Sequence, residues 1–137
     1  MHYRMFFGGT LLLSACAQPY AAPASTHTSL SPEETFSCVR GEMPKLGYKP
    51  SSVDVGARRI NGTKIDNESR RPDVQFRRML DKLEVEVTPQ ADGRTAINIR
   101  GRTFAEYTTQ RGPTEVEEKA SAEVQSAAEQ LLKRCRG

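Results

Sequence analysis

Two runs decide the fold: Lys82-Leu83-Glu84-Val85-Glu86-Val87 and Thr95-Ala96-Ile97-Asn98-Ile99-Arg100-Gly101-Arg102-Thr103. In the first, Leu83, Val85 and Val87 alternate with Lys82, Glu84 and Glu86, so an extended chain carries apolar side chains on one face and charges on the other. In the second, Thr95, Ile97, Ile99, Gly101 and Thr103 share one face, with Asn98, Arg100 and Arg102 opposite. The stretch from Thr88 to Arg94 contains Pro89 and Asp92-Gly93, turn chemistry that returns the chain antiparallel. A hairpin with one apolar face must bury that face against something, and the flanking segments supply it.

Upstream, Ser31-Pro32-Glu33-Glu34 opens a helix, because Ser31 can cap the Glu34 amide, Glu34 can reach back, and Pro32 loses no bond in the first turn. Phe36, Val39, Met43 and Leu46 recur at three- and four-residue spacing, and Gly47 suits the left-handed closing position. Pro44 predicts a kink or an early end near Met43. Tyr48 to Val55 and Ala57 to Ile65 read as two further strands, with a tight turn or a bulge at Asn61-Gly62, where Ile60 and Ile65 differ in parity. Pro113-Thr114-Glu115-Val116-Glu117 predicts the start of a second helix, with Thr114 and Glu117 as a capping box. Its stripe is Val116, Ala120, Val124, Ala127, Leu131 and Cys135, and its acidic start and basic end suit the helix dipole. The expected fold is α+β, a two-layer sandwich of an N-terminal helix, about four antiparallel strands and a C-terminal helix.

The first fifteen residues read as a short export signal: His2 and Arg4, the apolar run Met5 to Leu13, then small residues. That run is far short of the ~20 residues needed to span a bilayer. Leu13-Ser14-Ala15-Cys16 resembles the lipobox of bacterial lipoproteins. The resemblance covers only the leader. It implies cleavage before Cys16, diacylglycerol on its thiol, anchoring in the cell envelope and, with Ala17 rather than Asp following, sorting to the outer membrane facing the periplasm. The implied organisation is a signal peptide at 1–15, a lipidated cysteine and flexible tether at 16–30, and one domain at 31–137. Residues 17–30, small, polar or Pro without apolar period, read as a disordered spacer, with His27 solvated within it.

Three cysteines are present, and acylation of Cys16 leaves Cys38 and Cys135, both on predicted helices, to form a disulfide at the helix flank in an exported compartment. Formal charge is +3, and +2 once Arg4 leaves with the leader, too near neutral to imply nucleic acid. The histidines, His2 and His27, precede the folded domain, and no nucleophile elbow, phosphate loop, metalloprotease helix or complete calcium loop occurs. The Asp66-Asn67-Glu68 oxygens read as a solvated turn. No cofactor or metal is expected, and the reading is non-enzymatic.

The most distinctive charge feature is Arg58, Arg59, Lys64, Arg70, Arg71, Arg77 and Arg78, opposed only by Asp66, Glu68 and Asp73, for a local +4. Arg70, Arg71, Arg77 and Arg78 form the candidate contact for anionic lipid headgroups or another envelope protein, weighed against a solvated sheet edge. The expected function is binding, scaffolding or envelope assembly. The alternatives are a small-ligand or lipid carrier, which needs a deep apolar pocket between sheet and helices, and an unrecognised hydrolase.

Overall fold

The computed structural model describes residues 20–137. The elements run β1 (Ala22–Thr28), α1 (Pro32–Lys45), β2 (Lys49–Asp54), β3 (Arg59–Asp66), β4 (Phe76–Pro89), β5 (Thr95–Thr109), β6 (Gly112–Glu118) and α2 (Ala122–Cys135). The class is α+β, and the strand count rises from about four to six. The sheet is antiparallel throughout, in the order β1-β5-β4-β3-β2, and β6 shares one edge of β5 with β1.

The central hairpin forms as its alternation dictates. Leu83 faces Gly101, Val85 faces Ile99 and Val87 faces Ile97, which stacks the apolar side chains on one side. Both helices pack there: Val39 and Met43 of α1 and Val124 and Leu131 of α2 are fully buried in one cluster with these strand residues. Burying each such side chain contributes roughly 1.5–3 kcal/mol. Ser31 caps α1 with the complete predicted box, and Pro44 falls within the last helical turn rather than ending the helix at Met43. Gly47, at φ +90°, then takes the left-handed closing position.

Three expectations change. The flexible tether across 16–30 is a strand over 22–28, because its backbone completes the sheet against β5 residues 95–101. Its inward positions, Ala22 and Ala24, are small and pack on the core. The segment Pro113 to Glu117 lies in β6, not in a helix, and α2 starts nine residues after Pro113, capped by Ser121. Pairing to β5 outweighs a capping pattern that strand residues can carry as well, and Val116 is half exposed instead of joining the helical stripe. Asn61-Gly62 forms neither turn nor bulge in β3, whose register against β4 is continuous from Arg59 to Asp66. The irregularity is across from it, between Pro50 and Ser52 of β2, and Ile65 simply faces the other side of the sheet from Ile60.

Candidate functional site

Cys16 and the signal segment lie outside the described residues. The other two cysteines come together: Cys38 on α1 and Cys135 on α2 have Cα atoms 5.6 Å apart and sulfurs at bonding distance, across 97 residues of sequence. Cys38 is half-buried at the helix flank and Cys135 is buried.

The basic segment is dispersed and largely neutralised. Arg58 pairs with Glu33, Arg59 with Glu86, Lys64 with Glu123, and Arg77 and Arg78 both reach Glu106. Arg71 makes a two-pronged bond to Glu118, reaches the Tyr107 hydroxyl at 3.1 Å and lies over the Phe76 ring. That pairing holds the Glu118 pKa below the usual carboxylate value. Of the four arginines singled out in sequence, only Arg70 has no acidic partner among the described residues, and its guanidinium bonds the carbonyls of Asn67 and Ser69. Arg70 and Arg71 line one cleft, while Arg77 and Arg78 share Glu106. The carboxylates that neutralise the segment come from α1, β4, β5, β6 and the start of α2, distant in sequence.

That cleft, of about 460 Å³, lies where the helix side of the sheet runs past the start of α2. Register puts Lys64, Asp81 and Thr103 in one row across β3, β4 and β5. Thr103 Oγ1 donates to Asp81 Oδ1 at 2.6 Å, and Ser121 Oγ donates to Asp81 Oδ2 at 2.8 Å. The Ser121 amide donates back to Thr103 Oγ1 at 2.8 Å, while Ser121 Oγ accepts from the Val124 amide at 3.0 Å as the cap of α2. Asp81 thus ties the helix start to the sheet. The turn after β3 closes one wall: Asp66 accepts from the Glu68 and Ser69 amides and the Ser69 hydroxyl, as expected of a turn residue, and is held below its ordinary pKa chiefly by that hydroxyl. Lys64 reaches toward Glu123 at 3.7 Å across the opening.

A separate hollow, which Lys64 and Glu123 also line, holds Tyr48, only 1% exposed, with its hydroxyl lacking a partner among the described residues. Burial first, then the charges of Asp81 and Glu123, push its pKa upward. Of the residues singled out in sequence as a contact, Arg70 and Arg71 line the cleft, whereas Asp81, Thr103 and Ser121 were not singled out. Its members stand far apart along the chain, and only the strand register brings them into a row.

The other face of the sheet carries charges. Arg102 bonds Glu117 twice and Glu84 once, Lys82 bonds Glu115, and both cations lie over Phe104. Arg102 holds Glu117 below its ordinary pKa. Among the described residues no helix is long and apolar enough to cross a membrane, and no cluster of metal-ligating side chains occurs. Comparison with protein-family models and with curated proteins gives no match.

Proposed function

We propose that this chain is a lipid-anchored protein of the bacterial cell envelope whose folded domain binds another envelope component without catalysing a reaction. The observation that carries the reading is the cysteine arithmetic. Cys38 and Cys135 are placed to pair inside the fold, and Cys16, in Leu13-Ser14-Ala15-Cys16, is left for acylation. A disulfide suits an exported compartment, and two or three acyl chains exceed what stable anchoring requires. The sorting residue Ala17 favours the outer membrane.

A binding module fits the geometry better than a carrier does. Tyr48, Met43, Leu83, Ile97 and Leu131 fill the layer between helices and sheet where a carrier would hold an apolar ligand. The openings are instead at the surface and lined by charged and hydroxyl groups. His27, the histidine among the described residues, stands exposed on β1.

Metabolic labelling with an acyl-chain probe tests the anchor: wild type should incorporate label and remain with membranes, and Cys16→Ser should lose both. Unlabelled wild type, or a Ser variant equally membrane-bound, refutes the anchor. Crosslinking in native membranes tests the binding role, with one protein or lipid expected to be recovered reproducibly with the wild type.

A further inference from the structure

The heading of β1 and the length of chain ahead of it set two distances against each other. β1 runs antiparallel to β5, with Ala22 opposite Gly101, so the start of β1 points toward the end of β5. Tyr20 keeps that heading: its carbonyl accepts from the Ala120 amide at 2.9 Å, just past Glu118, whose partner on β5 is Thr103. β5 continues for eight residues beyond Gly101 to Thr109, a rise of ~27 Å. Six residues lead from Ala22 back to Cys16, a reach of at most ~22 Å when fully extended. With the strands upright on a bilayer that holds Cys16, the end of the β5–β6 hairpin therefore meets the surface before the lead is straight.

The side chains at that end suit such a surface. The Thr108 amide donates to the Gln75 carbonyl at 2.8 Å, which sets Val74 beside the hairpin end, and Val74 is 97% exposed. Residues 74–78 and 106–112 hold Arg77, Arg78 and Arg111 against a single carboxylate, Glu106. Glu106 is buried and lies closer to Arg78, at 3.1 Å, than to Arg77, at 4.0 Å, whose side chain stays exposed. Arg111 has no acidic partner among the described residues and is exposed at the turn. The opposite end of the sheet differs, because in the turn between β4 and β5 Asp92 and Arg94 pair at 2.8 Å and leave no net charge.

We propose that the β5–β6 hairpin end, with Val74, Arg77 and Arg111, rests on the headgroups of the bilayer that anchors Cys16, and that anionic phospholipid is its partner. The proposal rests on the acylated Cys16 of the anchor reading. The short lead brings the end down to the surface, and each arginine held near an anionic surface strengthens the contact about fivefold. The sheet then stands on this end, with the opposite turn at Ala91 held ~45 Å away by the length of β5.

The test uses the full-length chain purified from membranes, with acylation of Cys16 verified by mass. A fluorophore is attached to a single added thiol, at Gln110→Cys in the hairpin end or at Ala91→Cys in the opposite turn, both exposed positions. The proteins are placed in vesicles of phosphatidylcholine, with or without phosphatidylglycerol, that contain a lipid with a quencher on its headgroup. Quenching at Gln110→Cys should exceed that at Ala91→Cys severalfold on both vesicles, because the short lead imposes the contact. Inserting about twelve Gly and Ser residues after Ala17 releases that constraint. The lengthened chain should keep the hairpin end quenched on phosphatidylglycerol vesicles and lose most of the signal on phosphatidylcholine alone. Adding Arg77→Gln/Arg111→Gln to the lengthened chain should bring the first signal down to the second, while Arg78 remains to neutralise Glu106.

Equal quenching at the two positions, or stronger quenching at Ala91→Cys, overturns the proposal and leaves the anchor standing. A lengthened chain that does not distinguish the two vesicles, or that still distinguishes them with both arginines replaced, overturns it too. A wild-type Cys16 without acyl chains refutes the anchor and this proposal together, and the mass separates that case from the others.

Discussion

Gly62→Ala places a methyl group where Met43 and Tyr48 already close on the strand backbone. Gly62 lies on the helix-facing side of β3, opposite Leu83, and a Cβ there would collide with Met43 Sδ and approach Tyr48 Cβ to 3.1 Å. Met43 and Tyr48 are both buried, so neither can swing into solvent. Overpacking of this kind costs typically ~1–3 kcal/mol. Restricting the unfolded chain by replacing glycine returns ~0.4–1 kcal/mol, leaving a net loss of about 1–2 kcal/mol. In urea unfolding followed by circular dichroism, the midpoint should fall with an unchanged slope, and Tm should drop on the order of 5–10 °C. The cause is specific enough to be tested by a cycle. Met43→Ala alone should cost ~2–5 kcal/mol by leaving a cavity, but combined with Gly62→Ala it should cost less than the sum by about 1 kcal/mol or more, because the new methyl fills part of that space. A Gly62→Ala protein within ~0.5 kcal/mol of wild type, or strict additivity in the double variant, would refute the packing argument.

Replacing Cys38 and Cys135 by Ala opens a link across 97 residues, and chain entropy for about a hundred residues predicts a loss of up to ~4.7 kcal/mol. A native, non-reduced protein titrating two free thiols would show that the pair does not form. Deleting residues 20–28 should destabilise the domain strongly, since it exposes the β5 edge and removes the Thr28 Oγ1 bond to the Arg136 carbonyl at 2.7 Å; a mere spacer would leave the urea midpoint unmoved. Glu118 has its folded pKa lowered by Arg71, so its contribution is complete above the ordinary value of 4.5 and is lost as pH falls below that through the folded pKa. Glu118→Gln should accordingly be less stable than wild type near neutrality and should lose less on acidification; identical acid sensitivity of the two proteins would dismiss the Arg71 clasp as a contributor.

Much of the fold is legible in the chain because several elements carry redundant local signals. The β4 and β5 runs state their buried face at every second residue, and Ser31 with Glu34 states where α1 starts. The errors arise where local and tertiary signals diverge. Ala22-Pro23-Ala24-Ser25-Thr26-His27-Thr28 shows no apolar alternation, because its inward positions sit close to α2 and must be small. It is a strand by virtue of the β5 edge it covers, and nothing in its own seven residues says so. Thr114 and Glu117 match a capping box by spacing alone, while Ser121, the actual cap, is held by Asp81 and Thr103 from two other strands.

The same divergence explains why the ion-pair partners of the basic run, and the row of polar side chains at the cleft, are not visible in the sequence. A count of charges between positions 58 and 78 sees seven basic residues and three acidic ones, but the carboxylates that answer them arrive from residues 33, 86, 106, 118 and 123. Local net charge is a statement about the unfolded segment, and the field at a folded surface depends on what the register brings beside it. Lys64, Asp81 and Thr103 become neighbours only because β3 pairs β4 at Lys64 to Asp81 and β4 pairs β5 at Asp81 to Thr103. A one-residue slip in either ladder would turn Lys64 or Thr103 to the opposite face and dissolve the row. The apolar face that the alternation specifies is what forbids that slip, so the residues that build the core also determine which polar groups meet at the cleft.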